Sequence, residues 1–324
     1  MNIRMLWGKP VLALALLSLP ASLYAQHLTR IEIRPVETVT LKMQQVLTGD
    51  RGGKPALIAG ELRFPKGEGK LPAMILVHGS GGIGAATDRW AQRLNEIGVA
   101  AFVVDSFSGR GITSTVNDQS QLDTIAMMVD AYRALGVLAQ HPRIDPDRIG
   151  IIGFSKGAVA AVYSSNERFR KMYAPEGVEF AVHIGLYTPC NTTFRDDDKT
   201  TGKPVRLFHG IADDYVAIGP CRDYVARLKQ AGADATLTEY PGATHAYDAF
   251  LLKEPLKLPN AQTQRNCLWK EADNGAVVNA RTGVPFSFDD PCVERGPQVA
   301  YTAAATEATE KAVKELLTAA FKLQ

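Results

Sequence analysis

Arg148-Ile149-Gly150-Ile151-Ile152-Gly153-Phe154-Ser155-Lys156-Gly157-Ala158-Val159-Ala160-Ala161-Val162-Tyr163 is a short apolar run joined to an alanine-rich run by a five-residue hinge. Residues 148–154 predict a buried strand and residues 156–163 a helix. Between them, Gly153-Phe154-Ser155-Lys156-Gly157 has the form Gly-x-Ser-x-Gly. Entered from a strand and left by a helix, that pattern is a nucleophile elbow, a turn that strains the serine and exposes its hydroxyl. Side chains two positions to either side would collide, so small residues are required there. An ordinary tight turn can share the five letters; the strand before and the helix after favour the catalytic reading.

Working outward, apolar strands and amphipathic helices alternate. Residues 39–47 and 56–64 predict two early antiparallel strands. Residues 73–77 are wholly apolar, as in a parallel strand buried on both faces. A helix is predicted over 88–97, a strand over 99–104 ending at Asp105, and a helix carrying Leu122, Ile125, Val129, Tyr132 and Leu135. Strands follow at 181–186 and 204–208, a helix at 221–228, a last strand at 235–240, and a final helix through Ala308, Val313, Leu317 and Phe321. Such alternation predicts an α/β fold with a mainly parallel sheet flanked by helices. Residues 251–300 break the rhythm, with prolines and the turn signal Asp273-Asn274-Gly275. A loop of that length in a compact fold is usually functional, so it is a candidate lid or substrate wall.

A serine hydroxyl needs a base to take its proton. Asp213 follows the 204–208 strand and His245 follows the 235–240 strand, so Ser155, Asp213 and His245 all lie beyond carboxyl ends of strands, where open α/β sheets place their sites. Asp214 competes with Asp213 as the acid; Asp213 is preferred because it comes sooner after the strand. His78 and His209 also sit at strand ends and have structural readings, and His27, His141 and His183 have no helpful context. A tetrahedral intermediate needs two backbone N–H donors. These are expected from Lys156, next to the nucleophile, and from Ser80 in His78-Gly79-Ser80-Gly81-Gly82. One rival uses the same loop: Gly79-Ser80-Gly81-Gly82-Ile83-Gly84 matches a dinucleotide-binding fingerprint, with Asp105 as its acid about 20 residues on. Against it, the next helix is expected to open near Thr87 or Asp88, which leaves Gly84 outside it.

Composition bounds the partners. Lys+Arg number 36 against 34 Asp+Glu, and hydrophobic residues make up 46%. Those are globular values, without the basic excess of a nucleic-acid binder. Residues 1–25 predict a secretory signal peptide: Arg4 and Lys9, the apolar run 11–19, then small residues, with cleavage expected after Ala25. The apolar run is shorter than the about 20 residues a membrane span needs. Removing the segment takes away two bases and no acid, so the formal charge falls to zero. The remainder, 26–324, is expected to be one domain that is exported, to the periplasm or outside the cell. In an oxidising compartment four cysteines favour disulfides. Cys190 with Cys221 and Cys267 with Cys292, the sequence neighbours, are the preferred pairs, and free thiols are the alternative. A zinc site is disfavoured by the lack of any Cys-x-x-Cys spacing. A bridge closing the 251–300 excursion is worth about 3 kcal/mol in the chain-entropy model.

Several stretches together resemble the dienelactone hydrolase family of α/β-hydrolases. They are Val77-His78-Gly79-Ser80-Gly81-Gly82, residues 104–111, Gly153–Gly157, His209-Gly210-Ile211-Ala212-Asp213-Asp214-Tyr215-Val216, and Tyr240-Pro241-Gly242-Ala243-Thr244-His245-Ala246-Tyr247. The resemblance runs from about Ala56 to the last helix. It implies an eight-stranded sheet, a catalytic triad, and hydrolysis of a small-molecule ester without cofactor or metal. This chain departs from the namesake enzymes in having Ser155 where they use cysteine, and Gly79 where they carry a glutamate. That shifts the expected chemistry toward ordinary ester hydrolysis. Arg110 is a candidate contact for an anionic substrate group, with a surface ion pair as its alternative. Trp269 is a candidate wall of an acyl pocket, or simply buries the excursion. A prolyl-oligopeptidase-like peptidase and a non-catalytic binding protein remain as alternatives.

Overall fold

The computed structural model describes residues 28–323, so the predicted signal peptide lies outside the described residues. Eight strands form the central sheet: β1 (Leu28–Thr40), β2 (Lys54–Pro65), β3 (Leu71–Val77), β4 (Ala100–Asp105), β5 (Ile144–Phe154), β6 (His183–Leu186), β7 (Val205–Gly210) and β8 (Ala235–Tyr240). Their spatial order is β1-β2-β4-β3-β5-β6-β7-β8. β1 and β2 pair antiparallel, β2 lies antiparallel on β4, and every later pairing is parallel.

The parallel strands are apolar because they are covered on both faces. Along β3, Ala73, Ile75 and Val77 enter one core and Met74 and Leu76 the other; all seven residues of the strand are buried. The first core is packed by α3 (Ala126–Ala139), α4 (Lys156–Tyr163) and α6 (Gly219–Gln230). The second is packed by α2 (Ala85–Glu96) and α7 (Ala303–Phe321), through Trp90, Leu94, Val313, Leu317 and Phe321. No helix among the described residues is long and apolar enough to cross a membrane.

Three predicted boundaries are corrected. Residues 39–47 are not a strand: β1 ends at Thr40, and α1 (Met43–Thr48) follows, its Lys42 N–H capped by the Gln45 side chain at 2.9 Å. As the sheet's edge, β1 buries only Val36 and Thr38 and leaves Ile31 and Ile33 exposed, so no continuous apolar run marks it. Leu122 precedes α3, in a segment that contains a 3-10 turn at Gln119–Gln121. Finally, α2 opens at Ala85 with Gly84 as its cap, earlier than the first charged and bulky residues suggested. A further short helix, α5 (Glu167–Tyr173), is capped by the Asn166 side chain, which accepts from the N–H groups of Arg168 and Phe169.

The excursion folds back on itself in strands of two or three residues, too short to show a period. Leu256–Lys257 pairs with Gln298–Val299, Gln262–Thr263 with Glu294–Arg295, and Trp269–Glu271 with Val277–Asn279. Trp269 and Lys270 also pair with Thr192 and Thr193, which anchors the excursion to the loop after β6. Both preferred disulfides are present, Cys190–Cys221 and Cys267–Cys292. The second closes the excursion, and the first ties the loop after β6 to α6. The far end returns to the loop after β8, where the Ala300 N–H donates to the His245 carbonyl.

Candidate active site

β5 stops at Phe154 and α4 starts at Lys156, which leaves one residue to turn the chain. Ser155 does so at φ 51° and ψ −115°, a conformation that side chains rarely adopt and that costs about 1–3 kcal/mol. A Cβ on Gly153 would strike the Gly157 carbonyl, and one on Gly157 would strike the carbonyls of Val77 and His78. Both glycines of the motif are therefore dictated by close backbone approach.

The structure brings together the three residues singled out in the sequence. His245 Nε2 lies 2.9 Å from Ser155 Oγ, and His245 Nδ1 lies 2.8 Å from Asp213 Oδ2. A carboxylate only accepts, so Nδ1 carries the proton and Nε2 is free to accept from the serine hydroxyl. Asp213 Oδ1 accepts from the N–H groups of Tyr215 and Val216, each at 2.8 Å. Burial opposes ionisation of Asp213, but the charge of His245 and hydrogen bonds from His209 and His245 outweigh it and hold the carboxyl below its usual range. Asp214, the competing acid, instead accepts from the Gln298 N–H and faces Arg265 at the rim.

His209 belongs to this site, which its sequence context did not reveal. Its Nε2 is 3.0 Å from the Val216 carbonyl and 3.2 Å from Asp213 Oδ2, so its N–H is shared between that carbonyl and the carboxylate oxygen that His245 also meets. The imidazole of His245 sits between the rings of Tyr187 and Tyr215, at 4.7 and 4.6 Å. Tyr187 is held in turn by Asp248, which also accepts from the Trp90 indole. Burial raises the Asp248 carboxyl above its ordinary range despite those two donors.

Lys156 N–H is in the first turn of α4, where amides lack an intrahelical partner. The loop that carries Ser80 reaches the elbow at its preceding residue, where a Cβ on Gly79 would sit 3.5 Å from that of Ser155. Ser80, Ser155 and Lys156 all line one cleft. Phe194, Tyr215, Phe286 and Phe288 give it apolar walls, and the excursion adds Gln262, Thr263, Gln264 and Arg265.

The two candidate substrate contacts lie outside the cleft lining. Arg110 does not line the cleft. Its guanidinium is 4% exposed and spent on Asp130, Thr40 and the Ser106 carbonyl. Trp269 stands behind the wall rather than in it, with its ring 4.8 Å from that of Phe286 and its indole N–H on Gln264. The dinucleotide reading also changes. Gly84 does cap α2, contrary to expectation, but the Asp105 carboxylate is taken up by the N–H groups of Phe107 and Ser108. Among the described residues no cluster of three or more His, Cys, Asp or Glu has the arrangement of a metal site.

The Lys156 side chain was not anticipated. It is 2% exposed, and Nζ donates to the carbonyl and Oε1 of Gln119 at 3.2 and 3.1 Å. Burial lowers its pKa from 10.5 to about 7, against the opposing charges of Asp123 and Asp118. Between those two values the unfolded chain holds the extra proton, so stability rises with pH through that window. Below about 7 the ammonium bears its full burial cost. Urea titrations should show the stability of the native protein, relative to Lys156→Met, growing by about 3 kcal/mol from pH 7 to pH 9.5. A difference that stays flat across this range would contradict the burial of an ionisable amine.

The model of the dienelactone hydrolase family matches residues 58–267. A curated Bradyrhizobium protein, named a probable 2-oxo-3-(5-oxofuran-2-ylidene)propanoate lactonase, is 26% identical over 226 residues, or 65% of this chain and 86% of that one. Among solved structures, a dienelactone hydrolase-like promiscuous phosphotriesterase from metagenomic libraries superposes with a TM-score of 0.57 at 15% identity, covering 89% of this chain and 98% of that one. A putative dienelactone hydrolase from Klebsiella pneumoniae gives 0.50 at 18% identity, covering 68% of this chain and 91% of that one. At these identities the two structures speak for the fold.

Proposed function

We propose a mechanism on one premise: this chain belongs to the dienelactone hydrolase family, and it is a carboxylic ester hydrolase. Ser155, His245 and Asp213 are the catalytic residues in this reading. The observation that carries it is the unbroken relay from Ser155 Oγ through His245 to Asp213, at 2.9 and 2.8 Å.

Ser155 Oγ bonds to the ester carbonyl carbon while its proton passes to His245 Nε2. The carbonyl electron pair moves onto oxygen, and the N–H groups of Lys156 and Ser80 receive the oxyanion. Collapse of the intermediate expels the alcohol, which takes the proton from His245. Water then repeats the sequence on the acyl-serine and releases the acid. Asp213 keeps the imidazole in the right tautomer and stabilises its charged form. The substrate is a small-molecule ester, in keeping with an apolar-walled cleft with polar groups at its floor. A lactone is an internal ester, so the name of the Bradyrhizobium relative supports including cyclic substrates. The two disulfides support export to an oxidising compartment.

The test is labelling with a fluorophosphonate followed by peptide mapping. A single adduct on Ser155 is expected, together with turnover of esters and lactones in preference to aminoacyl amides. An unlabelled Ser155 in folded protein would sink the nucleophile assignment and favour a binding role. Preference for the amides would favour a peptidase.

A further inference from the structure

Gln119 stands where three loops meet. It opens the short turn Gln119–Gln121 and is 8% exposed. Its carboxamide lies between the side chains of the two residues read above as oxyanion donors. Nε2 donates to Ser80 Oγ at 2.9 Å, and Oε1 accepts from Lys156 Nζ at 3.1 Å and from Thr115 Oγ1 at 3.1 Å. The Gln119 carbonyl takes a second bond from the same Nζ. Behind the turn, the Gln119 N–H donates to Gln262 Oε1 at 2.7 Å, and the Gln262 N–H donates to the Val116 carbonyl at 2.9 Å. Gln262 belongs to the excursion.

The two donors need such a tie because their supports differ. Lys156 is fixed by the elbow and the start of α4. Ser80 sits in a glycine-rich loop: before it Gly79 packs on the Phe154 carbonyl, where a Cβ would come within 3.2 Å, but after it, at Gly81, a Cβ would meet nothing within 4 Å. Packing on the Gly81 side therefore does little to hold Ser80. What holds Ser80 is its carbonyl, which accepts from the Thr115 N–H at 2.8 Å and the Ser114 hydroxyl at 3.3 Å, and its hydroxyl on Gln119. An oxyanion hole works only if both donors already point at the developing charge.

We propose that Gln119 is a positioning residue for the oxyanion hole, clamping Ser80 to Lys156, and that Gln262 couples the excursion to that clamp. This rests on the mechanism above and deepens it. The excursion is then more than a substrate wall, because it supports the catalytic geometry through one side chain.

Kinetics with para-nitrophenyl acetate and affinity for phenylboronic acid, a tetrahedral-adduct former, test the clamp. Losing a whole donor costs about 10²–10³ in kcat; misplacing one should cost less. Gln119→Ala is expected to lower kcat about 10- to 100-fold and weaken the boronate by a similar factor, with KM within about threefold. Gln262→Ala reaches the clamp from outside and should move kcat and boronate affinity together, about 3- to 10-fold. It keeps the question open to refutation if Gln119→Ala does not fold. A rise in KM at constant kcat would reduce Gln119 to a lining residue and overturn the proposal, as would unchanged kcat and boronate affinity in both variants. Native protein that is not labelled at Ser155 defeats the mechanism itself. Labelled native protein with kinetically silent variants defeats only the clamp.

Discussion

Ser155→Ala is expected to lower ester turnover by about four to six orders of magnitude, the scale seen when a triad nucleophile is removed. Fluorophosphonate labelling should vanish with it. Stability should change little, because the hydroxyl bonds to His245 alone among the described residues and alanine must adopt the same strained turn at φ 51°. Ser155→Gly separates the two effects. It should be as inactive as the alanine variant yet more stable by about 1 kcal/mol, since glycine takes a positive φ without steric cost. Paired urea unfolding and hydrolysis assays decide the matter. Residual turnover above about 1% in Ser155→Ala would place the nucleophile elsewhere, since the loss of a true nucleophile is far larger. If Ser155→Gly gained no stability, the elbow would not be storing strain.

Local chemistry was legible in the sequence, and long-range pairing was not. The elbow could be read because a strand, a tight turn and a helix occupy sixteen consecutive residues, and each has its own compositional mark. Asp213 and His245 could be read because each comes just past a recognisable strand, which fixes the end of the sheet on which it emerges. Cysteine pairing followed sequence proximity in both cases. Gln119 carries no such mark, since its partners Ser80, Lys156 and Gln262 are 39, 37 and 143 residues away. His209 was noticed at a strand end, but its contact with Asp213 depends on how the turn after β7 folds back. β1 was misplaced because as an edge strand it is mostly polar and has Pro35 in its middle, with no continuous apolar run, and the excursion's strands are too short for any period to emerge.

Arg110→Ala should be the most damaging single change outside the triad, and its effect should fall on stability. The guanidinium meets Asp130 through two bonds of 2.8 Å, and the two side chains are 4% and 0% exposed. The same group donates to Thr40 Oγ1 at 2.8 Å, the Ser106 carbonyl at 2.7 Å and the Val39 carbonyl at 3.3 Å, while Thr38 Oγ1 donates to Asp130 at 2.7 Å. Thr38, Val39 and Thr40 end β1, so this pair latches the sheet's outermost strand to α3 and to the turn after β4. Removing the arginine leaves a buried carboxylate with one hydroxyl donor, a situation that costs about 3–5 kcal/mol. For a domain of this size that corresponds to a fall in Tm of about 10 °C. Because Arg110 does not reach the cleft, KM of the surviving folded enzyme should stay close to that of the native protein. The double change Arg110→Met with Asp130→Leu should recover most of the loss, since an apolar pair of similar volume avoids desolvating two charges. The opposite pattern, little change in Tm with a KM increase confined to anionic esters, would restore Arg110 to the substrate-binding role that its place in the sequence first suggested.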